Sequence, residues 1–250
     1  MHAIRLHTFG PAENLIYESV DDPPPGREVA GVVESLGEGV AGLWLGKRVV
    51  AHLGFAPGGY AELAAVDIDG VHEIPENLDF AQAVAMIGTG RTAMGIVQFS
   101  ELTADSVVVV LAAAGGLGTL LVQYAAHAGA TVIALADGPE KVATTRTNGA
   151  DLAVDYTDPE WPGKVRAWLG DRPATVVYTV DGLSEQVLGP VMMRKTGTPN
   201  PVRTLESRAL TEAADGRLVP TVHRFPLAAA AEAHRALETR GTTGKVVLEP

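Results

Sequence analysis

The 250 residues contain no cysteine, which excludes disulfides and thiolate zinc ligands and fits a reducing compartment. Basic residues are scarce as well. Nineteen Lys and Arg stand against 30 Asp and Glu, a formal charge of −11 that repels phosphate backbones. No Lys/Arg run offers a local exception, so nucleic acid is not an expected partner. The first ten residues, MHAIRLHTFG, lack the apolar core of a signal peptide, and the chain is expected to be cytoplasmic. The seven histidines show neither H-x-x-x-H nor H-x-x-E spacing, and no glycine-flanked serine nucleophile occurs, so neither metal nor acyl-enzyme chemistry is expected. Internal repeats and low-complexity linkers are missing too, although DDPPPG at 21–26 reads as a stiff turn or connector. With 46% hydrophobic and 20% charged residues, the chain can bury one large core or two modest ones.

A long apolar stretch, VVVVLAAAGGLGTLLVQYAAHAGATVIALAD (107–137), carries no charge before its final aspartate. A membrane span needs about 20 continuous apolar residues. Here Gly115, Gly116 and Gly118 cluster where a helix interior would lose backbone entropy, and Gln123, Tyr124 and His127 interrupt the apolar run beyond them. The chain is therefore not expected to enter a membrane. Ser106–Leu111 reads instead as a strand buried on both faces, Gly116–Ala128 as a helix and Thr131–Ala136 as a second buried strand. The turn in this βαβ unit reads Ala113-x-Gly115-x-x-Gly118, a dinucleotide fingerprint with alanine in the first place. Gly115 lets the backbone approach a pyrophosphate, Gly118 permits close helix–strand packing, and the helix N-terminus supplies N–H groups and positive dipole character. The same glycines also suit a tight turn with no ligand. The strand before them, the helix after them and an acid at the end of the next strand favour the nucleotide.

The pattern continues with a helix at Pro139–Asn148 stopped by Gly149, a strand at Asp151–Asp155, a short helix near Gly163–Leu169 and a strand at Thr175–Val180. Residues 1–80 are different. Rich in Gly, Pro and short β-branched segments, they suit a small β-barrel with tight turns. The tail, HRFPLAAAAEAHRALETRGTTGKVVLEP, reads as a strand, an amphipathic helix and a final strand.

Read together, MHAIRLHTFGPAENLIYESVDDPPPG, VAGVVESLGEGVAGLWLGKRVV, GGYAEL, AAAGGLGTLLVQYAAHAGATVIA, GADLAVDYTD, FPLAAAAEAHRALE and GKVVL resemble zinc-free medium-chain dehydrogenases/reductases of the quinone oxidoreductase and enoyl reductase type. The blocks stand in family order and cover most of the chain. The resemblance implies an α/β fold. It combines a Rossmann-like doubly wound parallel sheet at 81–219 with a reduced GroES-like β-barrel domain at 1–80 and 220–250. It also implies NADPH or NADH as cofactor and a quinone or an activated C=C bond as substrate. Two family blocks are missing, one after Gly26 and one after VVYTVDG at 176–182. Both come from the cofactor and substrate cleft. Lost interior strands expose ladder edges, which implies self-association, as a homodimer. They also leave an alternative in view: a trimmed reductase fold that no longer transfers hydride and serves as a cyclase, an isomerase or a binding protein.

The resemblance places a cofactor pyrophosphate at Ala114, Gly115, Gly116, Leu117 and Gly118. Ala112 stands where the family's preceding glycine usually is and adds a methyl group where backbone and phosphate crowd. Thr92, in GTGRTAMG, matches a family threonine near the nicotinamide. Its neighbour Arg91 suits a cofactor phosphate or a substrate carboxylate, but a solvated helix arginine is the favoured reading. Asp137 accepts from a ribose 2′-OH whereas Lys141 favours a 2′-phosphate, so the sequence does not choose between the two cofactors. Asp137 also suits an exposed turn, and Lys141 a solvated helix face. Tyr156 matches a family aromatic near the adenine ribose, and equally suits the edge of a core. His52, after RVVA, is the candidate proton donor, although a lone histidine at a strand end is more often structural. In this family hydride transfer asks little of side chains.

Overall fold

The computed structural model describes residues 1–20, 27–54, 59–179 and 194–250. The DDPPPG turn, Val180 and the stretch from 181 to 193, where the second family block is missing, lie outside the described residues. In chain order come β1 (His2–Leu6), β2 (Leu15–Ser19), β3 (Glu28–Val32), β4 (Arg48–His52), β5 (Val71–Glu73), α1 (Phe80–Ala85) and α2 (Arg91–Val97). They are followed by β6 (Val107–Val110), α3 (Gly116–His127), β7 (Thr131–Ala136), α4 (Gly138–Thr147), β8 (Leu152–Asp155), α5 (Trp161–Leu169) and β9 (Val176–Tyr178). The chain ends with α6 (Pro201–Ala214), β10 (Val222–Pro226), α7 (Ala230–Glu238) and β11 (Lys245–Glu249). It divides into two compact units, one of Met1–Gly88, Val222–Thr242 and Val246–Pro250, the other of Thr89–Thr221 and Thr243–Lys245.

Among the described residues the first unit holds three small sheets, the antiparallel β1–β2 and β3–β4–β5 and the pair β10–β11. The 59–62 segment joins β1 by backbone bonds, Ile4 N–H to Tyr60 O at 2.7 Å and Glu62 N–H to His2 O at 3.1 Å. Helix α1 starts with a reciprocal cap. Asp79 accepts the Gln82 N–H, and the Gln82 side chain accepts the Asp79 N–H. Its buried face, Ala81 and Val84, packs on Val247, Ala30 and Val222, which draws strands distant in sequence into one cluster. A second cluster joins Ile4 to Leu227 and Ala230 at the start of α7. β3 is an edge strand, and its Val32 is 52% exposed.

The second unit holds a four-stranded parallel sheet in the order β8-β7-β6-β9. The first strand in sequence, β6, lies inside it, with its two successors on one side and the fourth strand on the other. This is half of a Rossmann sheet, and the order reverses between β6 and β9. Val108, Val110, Val132, Ile133 and Ala134 are fully buried, which explains why both central strands read as unbroken apolar runs. The helix after β7 ends as expected, with Gly149 at φ +104°, a conformation open to glycine. Helix α6, at 201–214, is an element that the sequence pattern does not announce. Its signals are local: Asn200 accepts the Arg203 N–H at 3.1 Å, Pro201 fills the first turn, and Leu205, Ala209, Leu210 and Ala213 form the buried stripe.

Gln123 ties the segment after α6 back to α3. Its side-chain amide donates to Val219 O at 2.9 Å and accepts the Val219 N–H at 2.7 Å, so one side chain satisfies a peptide unit as a neighbouring strand would. Gln123→Leu keeps the volume and removes both bonds. Equilibrium urea unfolding is expected to show a loss of about 1–3 kcal/mol, the usual cost of orphaned polar groups, with the secondary structure retained by circular dichroism.

Candidate functional site

The glycine-rich turn is built by its neighbours. Leu111 N–H donates to Tyr178 O on β9 at 3.0 Å, and Ala113 N–H to Leu135 O on β7 at 2.9 Å, which fixes the turn at the point where the strand order reverses. Gly115 N–H then closes on Ala112 O at 3.0 Å and α3 begins. A methyl group at Gly118 would overlap the carbonyl of Ala112 and come within 2.7 Å of Ala113 Cα, so the first turn of α3 lies directly on the strand exit. Gly115 is extended, with φ −75°, and a methyl there would meet Ala112 O at 3.3 Å. As the N-cap it has no side chain to cover the N–H groups of the first α3 turn, which leaves them to an anion. Leu117 is half-buried, Ala114 fully buried.

Ala112 differs from the simple expectation of crowding. It is exposed, and its φ of +49° puts a non-glycine residue in the left-handed region, at a cost of roughly 1–2 kcal/mol. The backbone conformation, more than a clash of the methyl group, explains why glycine suits this place.

A participant that sequence reasoning missed is the 243–245 segment. Gly244 N–H donates to Ala114 O at 2.8 Å, Gly115 and Gly244 form an isolated parallel bridge, and Lys245 N–H donates to Thr221 O at 2.9 Å. A methyl on Gly116 would meet Lys245 N at 3.3 Å. Gly244, at φ +74°, has the carbonyl of Thr221 against its Cα. Only the GK pair in GKVVL hinted at this, since the contact spans about half the chain.

At the far end of β7 the structure brings three predicted residues into one neighbourhood. Asp137 is the N-cap of α4, but its carboxylate does not cap the helix. Both its oxygens accept from Lys141 Nζ at 2.9 Å. Asp155, at the end of β8, accepts the N–H of Thr157 at 2.9 Å and its hydroxyl at 2.7 Å. Those bonds, the Thr157 hydroxyl foremost, hold the Asp155 carboxyl below the usual carboxylate range. Tyr156 donates its N–H to Ala136 O at 3.0 Å and packs half-buried against Val107, Ile133 and Val154.

Thr92 and Arg91 begin α2, which packs on α3 and α6. Arg91 is not the solvated residue favoured from the sequence. Its guanidinium meets the Glu206 carboxylate of α6 at 3.3 Å, with side chains 15% and 7% exposed. The partner lies 115 residues away, and the buried acid requires the cation. Leading into α2, Met86–Gly90 is a π-helical turn, and Gly88 has the Glu28 carboxylate where a methyl would be.

His52 sits in the other unit, opposite Glu28 in the β3–β4 register, and its Nδ1 accepts the Gly54 N–H at 3.1 Å. That bond fixes the ring as part of the chain turn after β4. In the same unit the Tyr60 hydroxyl and His234 Nε2 are 3.0 Å apart, and burial, then the charge of Glu28, raises the Tyr60 phenol. Among the described residues no three His, Asp or Glu side chains gather as metal ligands, and no helix is long and apolar enough to cross a membrane.

Comparison with known proteins adds to this geometry. Residues 11–76 match the family described as alcohol dehydrogenase GroES-like domain, and 116–193 the family described as zinc-binding dehydrogenase. The chain is 32% identical to an NADPH-dependent alkenal/one oxidoreductase, chloroplastic, of Arabidopsis thaliana, over 94% of this chain and 66% of that protein's length. That alignment runs over 265 positions, more than this chain has, so the relative carries residues inside the matched region that are missing here. A probable quinone oxidoreductase of Schizosaccharomyces pombe is 30% identical over 90% of this chain and 79% of its own length. In fold, the Escherichia coli quinone oxidoreductase complexed with NADPH superposes with a TM-score of 0.81 at 21% identity, covering all of both chains.

The buried ion pair gives a clear test. Arg91→Met alone strands the Glu206 carboxylate and should cost about 3 kcal/mol. Arg91→Met with Glu206→Met should cost markedly less than the two single changes added together, as read by urea unfolding of all four proteins.

Proposed function

From the premise that the chain belongs to the medium-chain dehydrogenase/reductase family, with the quinone oxidoreductases, we propose that it is an NAD(P)H-dependent reductase of quinones or activated C=C bonds in small molecules. The observation that carries this reading is the strand exit, turn and α3 N-terminus at the reversal point of the sheet. There Gly118 allows the helix to approach β6, and no side chain covers the first N–H groups. Those features fit a dinucleotide pyrophosphate.

In this reading the N–H groups of Gly116, Leu117 and Gly118 hold the pyrophosphate, Gly115, its own N–H on Ala112 O, lets the backbone approach it, and Ala114 is fixed beside them by its bond from Gly244. Lys245 packs its main chain against Gly116 on the same turn. Asp137, Lys141 and Tyr156 serve the ribose and adenine end, and Thr92 the nicotinamide end. The bound nicotinamide supplies a hydride to the electron-poor carbon or the quinone, and the proton that completes the reduction comes from solvent or a side chain. His52 is the proton donor proposed from the sequence, and its Nδ1 accepts the Gly54 N–H. Cytoplasmic residence and pairing as a homodimer belong to the same reading, the second resting on the exposed edge at β3.

Either NADH or NADPH is expected to raise the melting temperature by several degrees at millimolar concentration, since selective binding to the folded state stabilises it by mass action. The stabilising nucleotide is expected to be oxidised in the presence of a quinone or an enone. Absence of any shift with both nucleotides at millimolar concentration would overturn the reductase reading in favour of a fold that has lost hydride transfer.

A further inference from the structure

We propose that the ribose end of this site selects NADH and rejects NADPH, because Asp137 holds Lys141 and leaves carboxylate in excess there. The inference rests on the assignment of a nicotinamide cofactor to this chain. It departs from the Arabidopsis protein, named as NADPH-dependent, and from the Escherichia coli quinone oxidoreductase, whose structure is a complex with NADPH.

The geometry assigns the roles. Asp137 directly follows β7, where a carboxylate accepts from the ribose hydroxyls. An aspartate at an N-cap ordinarily accepts an N–H of its own helix. Here the second helical residue is Pro139, which has no N–H, and the Asp137 carboxylate caps no helix N–H but is turned to Lys141. The side chains of Lys141 and Asp137 are 15% and 30% exposed. A carboxylate has about four acceptor sites, and one ammonium leaves room for the two hydroxyls of an unphosphorylated ribose.

A 2′-phosphate needs a cation that is not already spoken for. It would bring about 1.5–2 negative charges to a corner that already holds Asp137, Glu140, Asp155 and Asp158. The cations there are engaged. Lys141 is on Asp137, Lys164 is on Asp158, and Arg146 donates to the Ala153 carbonyl at 3.4 Å. To reach the phosphate, Lys141 would have to leave a partly buried carboxylate unpaired beside a dianion. Lysine at this position therefore does not signal NADPH in this chain, because its ammonium serves to orient Asp137.

The test is titration calorimetry of the intact chain with NADH and with NADPH at low ionic strength, on the natural protein, Asp137→Ser, and Asp137→Ser with Lys141→Ala. NADH is expected to bind the natural protein at least tenfold more tightly. Asp137→Ser frees Lys141 and should remove or reverse that preference, and the added Lys141→Ala should take back the gain for NADPH. A natural protein that binds NADPH as tightly as NADH, or an Asp137→Ser variant with an unchanged ratio, overturns this inference and leaves the reductase reading intact. Binding of neither nucleotide overturns both.

Discussion

The close approach of helix α3 to the exit of β6 in the second unit constrains the turn between them. Without a side chain at 118, the first turn of the helix lies on the main chain of Ala112 and Ala113. That contact aims the uncapped N–H groups of the helix at the point where the sheet order reverses. The turn is held from three sides: by β9 through Leu111, by β7 through Ala113, and by Gly244 through Ala114. An anion site made of main-chain groups is only as well ordered as the backbone that carries it, and here nearly every neighbour of the turn is itself backbone.

How much of the molecule is legible in its sequence depends on the range of each interaction. The βαβ unit is readable because its signals are local: a β-branched strand, glycines at fixed offsets, and an acid at the next strand end. Gly149 as a helix stop has the same character. Arg91 reads wrongly as solvated because its partner, Glu206, lies on α6, and a solvated and a buried arginine look alike without the second helix in view. The clamp at 243–245 joins segments more than a hundred residues apart, so glycine at 244 has no local explanation until Thr221 is seen against it. Asp137 and Lys141 both stand out in the sequence, yet their meaning does not, since the choice turns on whether the two side chains meet. Their separation of four residues allows the pairing, and Pro139, with no N–H to offer at the second helical position, favours it.

The reduced first unit shows the reverse dependence. Among the described residues its strands form three small sheets, and the clusters under α1 and α7 draw them together with the C-terminal strands. The tail leaves this unit at Thr242 and re-enters it at Val246, so Thr243–Lys245 belong to the other unit, where Gly244 bonds Ala114. Charge is divided in a similar way. The turn presents positive dipole and main-chain donors, while the end of β7 presents mostly carboxylate.

Hydrogen exchange followed by mass spectrometry, with and without millimolar NADH, tests the central claim directly. The amides of residues 116–118 should exchange markedly more slowly when the nucleotide is present, because they are the groups assigned to its pyrophosphate. Unchanged exchange in 116–118 while NADH protects residues elsewhere would contradict the assignment of this turn as the nucleotide site.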